Sequence, residues 1–191
     1  MFPWLRLLRV GIAVVGAPRI GVLDTTRVRM RVWPNDLDLN LHVNNGRYLA
    51  LADLARMDWF VRSGALAVAR RERAFPLIGD AIAKFRRDLK LFQTFEIRTR
   101  MLGWDERWGF LEHRFVRGGR VLGVVCVRGV FKGRSGIIEP QFFLSRVGAE
   151  SASPPLPRWV AEWNTSCESL STVLRSEEGA PEKPQERNRP I

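Results

Sequence analysis

Between Asp36 and Tyr48 the chain gathers Asp36, Asp38, Asn40, His42, Asn44 and Asn45 in quick succession, immediately ahead of a long apolar segment. Side chains of these types accept, donate and carry protons, and an Asn before an apolar run is a helix N-cap signal. A helix start also offers unbonded N–H groups and the positive end of the helix dipole, which suits a developing oxyanion. One short segment therefore offers a base and an oxyanion hole together.

The elements that must position this cluster follow from the patterning. From Thr25 onward Val28, Met30 and Val32 alternate with Arg27, Arg29 and Arg31, which predicts a half-exposed strand closed by Pro34. Tyr48 to Gly64 is apolar on nearly every helical face, interrupted by Asp53, Arg56, Asp58 and Arg62. That pattern predicts a largely enclosed helix stopped at Ser63-Gly64. A shorter basic helix over Leu66 to Arg73 follows. Strand-like segments then come in succession: one around Ala81 to Phe85, one over Phe95 to Met101, one over Phe110 to Arg117 after a turn at Gly103 to Arg107, and a continuous apolar run from Val121 to Phe131. Gly118-Gly119 marks a hairpin between the last two. Strand, buried helix, then consecutive antiparallel strands is an α+β order. The long apolar helix implies a sheet curled around it.

At 191 residues the chain suits one domain with extra terminal elements. The expected organisation is an apolar, amphipathic helix over 1–20, a main domain over 25–150, a linker and amphipathic helix over 151–175 packed on that domain, and a disordered tail over 176–191. The net charge of +11 is carried almost wholly by arginine, since Lys84, Lys90, Lys132 and Lys183 are the only lysines. Guanidinium forks grip phosphate, although an arginine-favouring genome yields the same composition. The arginines are spread over strands and loops without a nucleic-acid-binding motif, so no nucleic-acid partner is expected. Cys126 and Cys167 make no disulfide framework, and with His42 and His113 the only histidines, neither a metal nor another cofactor is expected. So few thiols fit a reducing, cytoplasmic compartment.

At the N-terminus, Val10 to Ala17 is far shorter than the roughly 18–20 apolar residues that span a bilayer. The expectation is a helix with Trp4, Leu5, Leu8, Ile12 and Val15 on one side, docked on the domain. Peripheral membrane contact through residues 1–20 is the alternative.

The pattern Asp36-x-Asp38-x-Asn40-x-His42-Val-Asn44-Asn45-x-x-Tyr48, followed by Asp53-Leu-Ala-Arg56, resembles the signature of the hotdog-fold acyl thioesterases. It is similar both to the 4-hydroxybenzoyl-CoA thioesterase group and to the plant acyl-ACP thioesterases. The longer resemblance is to the thioesterase-superfamily member six group and its bacterial relatives. It adds Phe95-Glu-Ile-Arg-Thr-Arg100, Leu102-Gly-Trp-Asp105 and the late tryptophan-containing helix, and so covers most of the chain. The resemblance implies a hotdog fold, a curved antiparallel sheet wrapped around one long central helix. It also implies a homo-oligomer, a dimer formed edge to edge or a dimer of dimers. The acyl thioester of coenzyme A or acyl carrier protein would lie at the dimer interface, its carbonyl near the start of the central helix.

On that resemblance Asp38 matches the catalytic carboxylate, attacking the thioester directly or activating water; a turn or cap aspartate would look the same. The backbone N–H of Asn45 matches the oxyanion donor, with Asn44 as the cap. Asn40 and His42 match groups that position water or protonate the leaving thiolate, while a loop histidine bonded to backbone would look no different. Asp53 is a rival base, with an ion pair to Arg56 at i, i+3 the favoured reading. Asp36 is expected to stabilise the loop and His113 to face inward without catalysis. Lys84, Arg86 and Arg87 end a strand that the resemblance places near the pantetheine tunnel, where they would hold coenzyme A phosphates; a solvated basic face is the plainer account. A non-catalytic acyl-binding protein and a membrane-surface adaptor are the competing functions.

Overall fold

The computed structural model describes residues 3–14, 16–149 and 152–178. The chain divides into two compact units, Met1–Pro155 and Leu156–Ile191. In the first unit, helix α1 (Pro3–Val14) leads into strand β1 (Thr26–Arg31), a 3₁₀ turn over Pro34–Asp36, and helices α2 (Asn45–Ser63) and α3 (Ala65–Arg71). Strands β2 (Phe75–Phe85), β3 (Thr94–Trp104), β4 (Gly109–Arg117), β5 (Arg120–Gly133) and β6 (Gly136–Ile138) follow, and then helix α4 (Pro140–Val147). The second unit carries helix α5 (Arg158–Glu178), with an Arg158–Glu162 ion pair one turn apart at 2.7 Å.

The strands make one antiparallel sheet in the order β1-β3-β4-β5-β2, with β6 paired to the end of β5. Two-residue alternation stacks Ile97, Thr99 and Met101 of β3 against Phe115, His113 and Leu111 of β4, and these against Gly123, Val125 and Val127 of β5. Facing them, α2 buries Tyr48, Leu51, Ala52, Ala55 and Trp59. Ala52 and Ala55 are small and completely covered, so the helix backbone lies close to the sheet. Bulges between Met101 and Gly103 and between Ile78 and Asp80 bend their strands. The sheet curls round α2 in the hotdog arrangement. Gly123 makes room for the helix: a Cβ there would stand 3.2 Å from the Tyr48 ring. At the far end of α2, Gly64 takes φ 90°, and its N–H closes the helix on the Val61 carbonyl.

Some elements differ from the patterning. Helix α2 starts a turn earlier than its apolar run, because Asn44 caps it. Strand β2 runs from Phe75 rather than Ala81, exposed along nearly its whole length. It is an edge strand, a position that tolerates Pro76. Strand β6 and helix α4 carry little periodic signal; the legible cue is Glu139-Pro140, a proline at the first helical turn. Helix α5 runs past Ser176 to Glu178, and the rest of the expected tail, 179–191, lies outside the described residues.

Helix α1 buries the face opposite to the one expected. Arg6, Val10 and Val14 point inward, whereas Leu5, Leu8 and Ile12 are exposed. The side chains of Trp4 and Val15 lie outside the described residues. The reason is electrostatic. Asp36 is buried beneath the helix, and a buried carboxylate demands a charged, hydrogen-bonded partner. Arg6 supplies it, and that contact sets which side of α1 faces down.

Candidate active site

The polar cluster is a short hairpin joined to a helix start. Leu37 and Val43 pair across it, Asp38 N donates to the His42 carbonyl at 2.9 Å, and Leu41 N donates to the Asp38 carbonyl at 3.1 Å. Leu41 is left in the left-handed region at φ 59°, a conformation more usual for glycine in such tight loops. Asn44 N donates to the Asp36 carbonyl at 2.8 Å, which locks the base of the hairpin to the first turn of α2.

Asp36 is the anchor. Its carboxylate accepts from Arg6 Nη1 at 2.8 Å, from Arg6 Nη2, from Trp33 N at 2.9 Å and from Arg47 Nη2 at 3.3 Å. Burial alone would raise its pKa; the Arg6 hydrogen bond, the Trp33 amide and the charges of Arg6 and Arg47 outweigh that and hold it below the usual value.

Asp38 is half-buried at the top of the hairpin. Its Oδ1 accepts from Asn40 N at 2.9 Å and His42 N at 3.3 Å, so one oxygen organises the turn. Its Oδ2 takes no bond among the described residues. Asn44 Oδ1 accepts from Gly46 N at 2.9 Å and caps α2. That leaves the Asn45 N–H, the first of the helix, without an acceptor among the described residues. Asp38, Asn40, His42 and the Asn45 amide are thus brought into one short structure at a helix N-terminus.

Two further groups meet this site. His42 Nε2 stands 3.5 Å from Asp88 Oδ2, and the two strands of chain touch again where His42 bridges to Lys90 and Val43 N donates to the Leu89 carbonyl at 2.9 Å. Asp88 carried no signal in the sequence, since it follows the paired arginines Arg86-Arg87 in a loop remote along the chain. Tyr48, one turn into α2, packs on Phe85 and Phe115 with ring centroids 5.0 and 4.7 Å away. Burial, and then the charge of Asp88, push its phenol up to about 12, so it stays neutral.

Other expected residues lie apart. Asp53 is two turns along α2, 65% exposed, and paired with Arg56 Nη1 at 3.0 Å. Lys84, Arg86 and Arg87 are exposed where β2 ends, in the segment that runs directly into Asp88. A narrow apolar cavity of about 40 Å³ opens near the other end of α2, lined by Trp59, Phe60, Ile78, Met101 and Phe143 among others. Cys126 is a core thiol, pushed up to about 12 by burial and then by Glu112, and so unreactive.

His113 lies fully buried against α2. Arg56 Nε donates to its Nε2 at 3.4 Å, which assigns the ring proton to Nδ1, 2.9 Å from Thr99 Oγ1. Burial first, and the Arg56 charge second, hold its pKa well below 6.5. Below about pH 6.5 the unfolded chain therefore binds a proton that the folded chain refuses, so stability falls with falling pH by about 1.4 kcal/mol per unit until the folded pKa is reached. Urea unfolding should show that slope between about pH 6.5 and 5.5 but not between about 7.5 and 6.5, and the His113→Gln variant should lack it; an equal slope in both would remove His113 as its source.

A model of the thioesterase-like superfamily matches residues 32–164. The chain is 37% identical over 150 residues to the protein THEM6 of Xenopus laevis, covering 78% of this chain and 71% of that one. Among solved structures it resembles the YbaW probable thioesterase of Escherichia coli with TM-score 0.60 at 19% identity, covering 63% of this chain and 94% of that one. A gentisyl-coenzyme A thioesterase gives TM-score 0.57 at 20% identity, covering 65% and 100%.

Proposed function

The chain belongs to the thioesterase-like superfamily, and from that premise we propose that it hydrolyses an acyl thioester of coenzyme A or acyl carrier protein at the start of α2. The observation that carries this reading is the unbonded Asn45 N–H beside the Asp38 hairpin. The thioester carbonyl oxygen lies on that amide. Asp38 Oδ2 takes a proton from water as the water oxygen attacks the carbonyl carbon, and the carbonyl electron pair moves onto oxygen, where the amide and the helix dipole stabilise it. Collapse expels the thiolate, which recovers a proton from the site, and releases the carboxylic acid. Direct attack by Asp38, followed by hydrolysis of the resulting anhydride, uses the same groups. Asn40 and His42 hold the water or the leaving sulfur, with His42 steadied by Asp88. Lys84, Arg86 and Arg87 take coenzyme A phosphates. Strand β2, whose Phe75, Leu77, Ile78, Ile82 and Phe85 are exposed along an unpaired edge, forms the seam of a homodimer.

A panel of acyl-coenzyme A thioesters of graded chain length, with acyl carrier protein thioesters in parallel, tests the reaction by thiol release. Acyl binding without thiol release in either series would favour the alternative of a non-catalytic acyl-binding protein. That alternative has in its favour the engagement of Asp38 Oδ1 by its own loop.

The oxyanion role has a separate test. Asn45 is the first residue of the helix, where proline is well accommodated, and Asn44 already holds φ −55° and ψ 138°, the conformation that a following proline demands. Asn45→Pro therefore deletes the N–H with little cost to folding. We expect kcat to fall by about 10²- to 10³-fold with a thermal midpoint close to the parent's. Unchanged kcat would assign the oxyanion to another donor.

A further inference from the structure

Helix α1 turns the wrong side to water for a helix that exists only to dock. Residues 6, 10 and 14 fall on one stripe, and 5, 8 and 12 on the stripe opposite. The first is buried and includes an arginine; the second is Leu5, Leu8 and Ile12, exposed at 49%, 59% and 64%. Along one flank of α1 runs a groove of about 300 Å³ lined by Arg6, Arg9, Arg29, Arg31 and Trp33 among others. Arg6 is committed to Asp36, but Arg9 and Arg29 take no ion-pair partner among the described residues. Arg31 lies 5.9 and 5.3 Å from the ring centroids of Trp33 and Phe92, and Phe92 is itself exposed. An apolar ridge, a groove in which Arg9, Arg29 and Arg31 have no ion-pair partner among the described residues, and a tryptophan beside them are what the boundary of an anionic bilayer accepts: acyl chains, phosphates and the interfacial layer in turn. No described helix is long and apolar enough to cross a membrane, and α1, about 18 Å long, suits the plane of one.

We propose that α1 and the adjoining β1 edge dock this protein on an anionic phospholipid surface, with Leu5, Leu8 and Ile12 entering the acyl region and Arg9, Arg29 and Arg31 pairing with headgroup phosphates. None of Leu5, Leu8, Ile12, Arg9, Arg29 and Arg31 is among the groups proposed for thioester hydrolysis, so the test does not depend on that reaction.

The test is co-sedimentation of the full chain with vesicles of phosphatidylcholine alone or mixed with phosphatidylglycerol. The mixed vesicles should pellet the protein and the zwitterionic ones should bind it far more weakly. Arg9→Gln and Arg29→Gln should each weaken binding about fivefold, and raised salt should weaken it further. Leu8→Ser with Ile12→Ser should lower affinity by tenfold or more on the same vesicles. All four positions are exposed, so the thermal midpoints should match the parent's and a failure to fold would be visible. Equal pelleting with both vesicle types would overturn the role of the arginines. No vesicle binding, together with a smaller oligomer for the Leu8/Ile12 variant by light scattering, would overturn the proposal in favour of contact between copies of the chain. No vesicle binding with unchanged mass would overturn it outright.

Discussion

Asp38→Asn should lower kcat for thioester hydrolysis by about 10²- to 10⁴-fold while leaving the fold in place. The separation is expected because the two oxygens of Asp38 differ in setting, one bonded within the loop and the other assigned to the proposed reaction. Oδ1 accepts from the Asn40 and His42 amides, and an asparagine carbonyl accepts the same bonds, so the hairpin survives. What the amide cannot do is take a proton or attack a carbonyl. Asp38→Ala should differ, losing both the activity and the turn, with a drop in stability of about 1 kcal/mol. Steady-state kinetics on any thioester cleaved by the parent, with thermal melts beside them, distinguish the outcomes. Parent-like turnover by Asp38→Asn would end its assignment as base or nucleophile, and Asp53 would come next; its exposure and its pairing with Arg56 make it the weaker candidate.

The second large effect is on stability. Asp36→Ala should destabilise the protein by about 3–5 kcal/mol, because it strands the Arg6 guanidinium, which is 5% exposed, with no charge to answer it. The Trp33 amide loses its acceptor as well. Arg6→Ala should cost less, since Arg47 still faces the carboxylate at 3.3 Å. Replacing the pair together, Arg6→Met with Asp36→Leu, should recover much of the loss. Folding stability also gains a pH dependence from this pair. The Asp36 pKa is lower folded than unfolded, so its contribution is complete above about pH 4 and is lost as pH falls through the folded value. Chemical unfolding of the variants reads these differences; a double variant no more stable than Asp36→Ala would show that the pair's hydrogen bonds, rather than its charges, hold α1 down.

Local chemistry wrote much of this molecule plainly. The alternation of β3 and β4, the Gly118-Gly119 hairpin, the enclosed helix and the cap at Asn44 depend on near neighbours in the chain, so periodicity and residue type expose them. Strand β2 was harder, because an edge strand exposed on both faces has no alternation to read. Helix α4 is short, and a few residues carry too little period to stand out. Asp88 was invisible for a different reason: it meets His42 only because β2 returns its far end to the start of α2. Its ordinary loop sequence says nothing of that.

By itself the sequence determined the α+β order, the hotdog resemblance and the polar segment from Asp36 to Tyr48 as the candidate site. Those features are encoded in spacing. Only the tertiary structure decided how differently the two carboxylates are placed. Asp36 and Asp38 are two residues apart and chemically identical, yet one is sealed under α1 by Arg6 and the other keeps an oxygen unbonded. It also decided which side of α1 faces the domain. An apolar stripe is ordinarily the buried one, but a buried carboxylate outweighs a few leucines in what it requires, and the helix turned its arginine inward to meet it.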